Sequence, residues 1–242
     1  MKNTLITAHS GCEGIVQDRI DSVVCGIELG ADCVEVDVRM DENGILRLSH
    51  NKRDNYDAAD TLEEAFRMIA DNEIAVNCDI KEARLLYPVI ALAKKCGLPK
   101  RKLIFSGSVS PDLLADDPDI VKDSRIFLNI EHVCKYLLCD KAKDYRRLLS
   151  DPHNYMNDNY PAFMSENIPQ IVEFAKQVGA ECLNLNYKWL TKDELQQITG
   201  LGMPISLWTI NDEEAQAEFI KLDLLNMTTR SVKTALKVRS EL

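Results

Sequence analysis

Short apolar runs and longer amphipathic stretches alternate along almost the whole chain. The runs fall at 4–8, 33–39, 45–49, 74–80, 102–106, 126–130, 182–186, 204–208 and 222–226. Most are brief, aliphatic or β-branched and continuously apolar, as strands covered on both faces should be. Between them, amphipathic helical patterns occupy 17–29, 61–71, 83–97, 109–116, 166–178, 192–199, 212–220 and 229–240. Thr61 with Glu64, and Thr191 with Glu194, carry the signature of an N-terminal capping box. Gly30, Gly97, Gly179 and Gly200 each follow a helical pattern, where a C-terminal cap wants a positive φ.

Strand and helix alternating about eight times in 242 residues predicts an α/β fold, a (β/α)8 TIM barrel, as a single domain over 1–242. An open doubly wound sheet is the competing architecture. Even spacing of the units, and no GxGxxG after the first strand, favour the barrel. The run 45–49 is supernumerary and is expected to form a hairpin with 33–39 through Glu42-Asn43-Gly44. A βα-loop excursion is expected around 131–163, longer than the usual few-residue connection. It holds Tyr136, Tyr145, Tyr155 and Tyr160, four of the seven tyrosines. Two readings stand: a lid or interaction element above the barrel mouth, or a helical excursion packing its own aromatics.

Composition narrows the partners. Hydrophobic content of 45% supplies a sizeable core, and a net charge of −10 with a pI near 5.0 argues against nucleic acid or anionic membrane as a general partner. An acidic protein that handles a phosphate must offset its charge locally, with a metal or a few basic side chains. The eight cysteines make no CxxC pair, and several lie in apolar runs, where a thiol behaves as a small hydrophobe. No segment reaches the roughly 18 apolar residues of a spanning helix, and the opening run is too short for a signal peptide. The expectation is a reduced, cytoplasmic protein without an integral membrane segment.

Candidate chemistry gathers between Leu5 and Asn51, and again near residue 79. Glu35 and Asp37 are two apart in a strand and project to one face, while Val34, Val36 and Val38 point the other way. Two carboxylates facing a barrel interior repel each other unless a cation lies between them, and hard oxygen donors suit Mg²⁺ or Ca²⁺. Asp79 closes a later strand, with Lys81 two positions on. His9 and His50 stand at strand ends, where an imidazole can take one proton and give another near neutral pH. Breaking a phosphodiester needs both acts, with a cation to polarise the phosphoryl group.

AHSG, GADCVEVDVRMDENGILRLSHN, VNCDIK and LWTIN resemble the motif series of the glycerophosphodiester phosphodiesterase family, relatives of the phosphatidylinositol-specific phospholipases C. The match covers nearly the whole chain, and the first fifty residues are its most specific part. The resemblance implies a (β/α)8 barrel that hydrolyses a small glycerophosphodiester to glycerol 3-phosphate and an alcohol. It makes His9 and His50 the catalytic histidines and Glu35, Asp37 and Asp79 the ligands of a divalent cation. Lys81 would lie close to the phosphate, and Trp208 would line the glycerol side of the pocket.

The departures are as specific. The family's HRG is HSG here, so Ser10, expected at the substrate-binding position, stands where an arginine would grip the phosphate. Its HD is His50-Asn51, and its late TD-x-P is Thr228-Thr229-Arg230-Ser231. A proline-led motif after the first strand is missing, with Gln17-Asp18-Arg19 near its place. Arg19 there is either a substitute charge or a surface arginine at a helix start. Ser10 and Asn51 are what a catalytically altered barrel, one that binds a phosphorylated ligand or a protein partner, would show. A lyase that releases a cyclic phosphate would use the same two histidines.

Overall fold

Eight parallel strands close into a barrel in the computed structural model, which describes residues 4–56, 58–141 and 152–241. The strands are β1 (Leu5–Ala8), β2 (Cys33–Met40), β4 (Ala75–Ile80), β5 (Leu103–Gly107), β6 (Arg125–Asn129), β7 (Cys182–Asn186), β8 (Ile205–Trp208) and β9 (Asn226–Thr229). They hydrogen-bond in the order β1-β9-β8-β7-β6-β5-β4-β2, and parallel pairing of Thr7 with Cys33 and Ala8 with Val34 closes the ring. The architecture is a TIM barrel. The supernumerary run is β3 (Leu46–Leu48), antiparallel to β2 with Val38 opposite Leu48 and Met40 opposite Leu46. Asp41 shapes its turn: its carboxylate accepts from the Asn43 and Ile45 backbone N–H groups at 2.9 and 2.8 Å.

The helices are α1 (Ile20–Glu28), α2 (Leu62–Ala70), α3 (Leu86–Lys95), α4 (Pro111–Asp116), α5 (Ile120–Asp123) and α6 (Ile130–Lys141), followed by α7 (Pro152–Gln177), α8 (Lys192–Gly200), α9 (Glu213–Phe219) and α10 (Val232–Ser240). Both expected capping boxes form, at the start of α2 and of α8. The main core lies between strands and helices, where Val34, Val36 and Val38 are buried. Inside the barrel, a plug of Cys33, Ile104, Phe127 and Cys182 closes the base. No helix among the described residues is long and apolar enough to cross a membrane.

Three expectations shift. The last strand is Asn226–Thr229 rather than 222–226: Ile220–Leu222 makes a 3-10 turn and Asp223 takes a left-handed φ of 55°. Apolarity misplaced it because two of its inward side chains, Asn226 and Thr228, are polar and yet buried. Helix α8 runs through Gly200, and the positive φ falls on Gly202 at 78°. The described residues after β6 are helical: Ile130 already begins α6, and α7 starts well before 166 and kinks at Asn167. Tyr136 packs on Phe174 with ring centroids 4.7 Å apart, joining α6 to α7. Tyr145 and the side chains of Tyr155 and Tyr160 lie outside the described residues.

Candidate active site

The strands' C-terminal ends surround a cavity of about 310 Å³ whose lining includes His9, Glu35, Asp37, His50, Asp79, Lys81 and Trp208. Strand periodicity of two explains the grouping. Glu35 and Asp37 of β2 face inward at successive levels, and β4 pairs in register so that Asp37 lies opposite Asp79. Each of Glu35, Asp37 and Asp79 offers an oxygen within 4.8 Å of the others. Gly107 makes room for this group. It has φ 74°, and a Cβ there would come within 1.8 Å of Asp79 Oδ1.

Burial dominates the electrostatics of the trio, and charge crowding adds to it. Burial pushes the Glu35 carboxyl well above its usual range, and Asp37 and Asp79 push it further. Burial likewise raises Asp37 to about 6, against the pull of Lys81. Lys81 Nζ lies 2.6 Å from Asp37 Oδ1 and 2.8 Å from Asp79 Oδ2. Burial works against its ammonium, but Asp79 and Asp37 outweigh that and hold it above the ordinary lysine value. One ammonium does not satisfy three carboxylates: Glu35 Oε2 and Asp79 Oδ1 are buried and accept no hydrogen bond. Hard oxygen donors with orphaned lone pairs are the donor set that fits a divalent cation.

The two histidines flank the trio differently. His9 follows β1, and its Nδ1 lies 2.8 Å from the Ser10 carbonyl and 3.5 Å from Glu35 Oε2. A carbonyl only accepts, so the proton sits on Nδ1 and Nε2 keeps its lone pair. Burial lowers the His9 pKa to about 4, which keeps the ring neutral. His50 is exposed, with Nδ1 3.3 Å from Asp37 Oδ2.

The opposite wall carries residues without a clear sequence signal. Glu131 and His132 open α6 and line the cavity with Asn129, Asn184 and Trp208. A hydrogen-bonded chain crosses the barrel interior. Thr7 Oγ1 donates to Asn226, Asn226 to Ser206, Ser206 to Asn184, Asn184 to Asn129, and Asn129 to Glu131, over 2.6–2.9 Å. Burial pushes Glu131 up to about 7, opposed by the Asn129 bond. The alternation of Asn184 and Asn186 in β7 was the available hint of a polar interior. Trp208 ends β8 and meets Trp189 edge to face, centroids 5.5 Å apart.

Ser10 turns away from the cavity. Its hydroxyl accepts from the Asp18 N–H at 2.9 Å, and Asp18 Oδ2 in turn accepts from the His50 N–H at 2.9 Å. The two histidine loops are thereby joined through Ser10 and Asp18. Arg19 is committed elsewhere, to Asp60 at 3.3 Å and the Ala58 carbonyl at 2.8 Å. Arg230, just after β9, donates from Nε to the Ser10 carbonyl at 3.2 Å.

By sequence, no protein-family model and no curated protein matches the chain. By structure, the likeness runs end to end. A glycerophosphodiester phosphodiesterase from Thermotoga maritima superposes with a TM-score of 0.69 at 21% identity, over 98% of this chain and 99% of that one. Another from Parabacteroides distasonis gives 0.70 at 17% identity, over 99% and 98%. A phosphodiesterase of Oleispira antarctica, solved with the product sn-glycerol-3-phosphate, gives 0.68 at 14% identity, over 98% and 96%. The chain shares the fold of glycerophosphodiester phosphodiesterases. At such identities the likeness is one of fold, and the site must carry any functional reading.

Proposed function

We propose that the chain is a divalent-cation-dependent phosphodiesterase that cleaves a small glycerophosphodiester to glycerol 3-phosphate and an alcohol. The observation that carries this reading is the convergence of two histidines, three crowded carboxylates and a lysine on one cavity. Glu35, Asp37 and Asp79 would hold Mg²⁺ or Ca²⁺, which would supply Lewis-acid polarisation of the phosphoryl group. Neutral His9, its Nδ1–H donating to the Ser10 carbonyl, takes a proton at Nε2 from the glycerol 2-hydroxyl as that oxygen attacks phosphorus, and water then opens the resulting cyclic phosphate to glycerol 3-phosphate. His50, steadied by Asp37, returns a proton to the leaving oxygen. Lys81 adds positive charge beside the phosphate, and Trp208 flanks the glycerol. One catalytic domain spans 1–242 and works in the cytoplasm, in keeping with eight cysteines that form no CxxC spacing.

The test is release of glycerol 3-phosphate from glycerophosphocholine, glycerophosphoethanolamine and a chromogenic diester with Mg²⁺, Ca²⁺ or Mn²⁺. Turnover is expected to vanish with a chelator and return with the ion. His9→Ala is expected to lower kcat by about 10²–10⁴-fold, the usual weight of a general base. Absence of turnover across the panel rejects the reading, and cyclic phosphate as sole product turns it into a lyase.

Lys81 favours a second reading. Bridging Asp37 and Asp79, it neutralises much of the cluster from within the chain. A barrel using it that way would hold a phosphorylated ligand without hydrolysing it. Chelator-insensitive binding of glycerol 3-phosphate, with no turnover, would mark that case.

A further inference from the structure

Ten arginines are described, and nine of them stand within 4 Å of a carboxylate: Arg19, Arg39, Arg47, Arg53, Arg67, Arg84, Arg101, Arg125 and Arg239. Arg230 is the tenth, and among the described residues it has no acidic partner. In a chain of net charge −10, a guanidinium left without a carboxylate stands out. Its position is equally specific. Ala8 pairs with Thr229 across β1 and β9, so His9 and Arg230 leave the barrel side by side at its mouth. Two hydrogen bonds meet on one atom, the Ser10 carbonyl oxygen: His9 Nδ1 at 2.8 Å and Arg230 Nε at 3.2 Å. The backbone of Arg230 is fixed as well, its N–H donating to Asn211 Oδ1 at 2.8 Å.

The geometry points to Arg230 as a phosphate-binding residue of this site, held by Nε on the Ser10 carbonyl with its two terminal amino groups kept for the anion. This rests on the phosphodiesterase reading for the identity of the anion. The terminal amino groups form no hydrogen bond or ion pair with any described residue, and a guanidinium fork matches two phosphate oxygens at once. The side chain is half-buried and stands at the rim beside His9, next to the residues that line the cavity rather than among them. Lys81 cannot do the same work alone, since Asp37 and Asp79 already claim its ammonium. Ser10 contributes its backbone oxygen here, while its hydroxyl serves Asp18.

The experiment compares wild type with Arg230→Gln and Arg230→Lys, all with Mg²⁺. Gln keeps a donor for the Ser10 carbonyl without the charge; Lys keeps the charge without the fork. Calorimetry with sn-glycerol 3-phosphate and with inorganic phosphate reads affinity without turnover, and diester kinetics give KM and kcat separately. Arg230→Gln is expected to weaken glycerol 3-phosphate about ten- to a hundred-fold, the span of a lost charge-assisted bond. Arg230→Lys should fall between it and wild type, with the effect on KM exceeding that on kcat. Phosphate affinity equal to wild type in a folded Arg230→Gln overturns the assignment, as does a wild type that binds neither phosphate. Arg230-dependent binding without turnover would uphold Arg230 while rejecting hydrolysis; turnover indifferent to Arg230 would do the reverse.

Discussion

Asp18 has a left-handed φ of 58°, uncommon for a residue other than glycine, and its carboxylate spans from one histidine loop to the other. Its N–H is taken by Ser10 and its Oδ2 by the His50 N–H, so its role is to set the spacing of His9 and His50. Asp18→Gly relieves the backbone conformation but removes the acceptor. It is expected to fold normally and lose kcat about ten- to a hundred-fold, whereas Asp18→Asn retains an acceptor and most of the rate. Unfolding curves beside kinetics separate the two effects; equal rates in Gly and Asn would reject the positioning role. Glu131 makes a different demand. Its pKa rises from the ordinary 4.5 to about 7, so between those values the folded protein holds a proton the unfolded chain has lost. Stability carried by the neutral carboxyl is present below about 4.5 and is lost as pH rises toward 7, on the order of 3 kcal/mol. Glu131→Gln should flatten that part of the curve of unfolding free energy against pH. An unchanged slope would reject the assignment.

Helix α2 shows how single residues fix an element at both ends. Thr61 and Glu64 cap its start, and buried Lys102, just before β5, donates from Nζ to the carbonyls of Ile69 at 3.1 Å and Ala70 at 3.3 Å. Lys102→Met fills the space but removes the ammonium shared by the Ile69, Ala70 and Asn72 carbonyls, of which Ile69 keeps only backbone donors from Asp71 and Asn72. It is expected to destabilise the protein by about 2–3 kcal/mol, measured as a lower denaturation midpoint at unchanged m. A loss below about 0.5 kcal/mol would show that the end of α2 satisfies its own carbonyls. The first capping pair was legible in the sequence because Thr-x-x-Glu is a local signal; the second cap was not, because Lys102 lies some thirty residues away. The same division runs through the fold. The β3 hairpin and the register of Glu35 and Asp37 were readable from turn chemistry and period two. The place of β9 was hidden, because Asn226 and Thr228 are buried by partners on other strands, which hydropathy does not see. Among the site residues, those with a motif were named, whereas Glu131, Asp18 and Arg230 acquire meaning only once the barrel closes and brings β6, the β1–α1 loop and β9 to one mouth.

At the scale of the molecule, the closed barrel holds an acidic cluster that stabilises the fold poorly by itself. Glu35 and Asp37 have raised pKa values, chiefly because burial disfavours their charged forms. The sign follows. Without an ion, each carboxyl favours folding while it is protonated, and that contribution is lost as pH rises through the folded value, about 6 for Asp37. A divalent cation held there would reverse this, since it would bind the ionised carboxylates and displace their protons. Ion-induced stabilisation should therefore be small at pH 5 and large at pH 8. Mg²⁺ or Ca²⁺ at about a hundred times its Kd adds about 2.7 kcal/mol, which for a chain of this length is about 5–10 °C in Tm. Thermal unfolding at both pH values, with the ion and with a chelator, measures it directly. Asp79→Asn should reduce the shift, because it removes one charged donor of three while preserving the shape that Gly107 accommodates. Equal shifts at pH 5 and pH 8, or a full shift in Asp79→Asn, would mean that the ion binds somewhere other than this cluster. No shift for any divalent ion would leave Lys81 as the cation the barrel uses, and would move the balance to the ligand-binding reading.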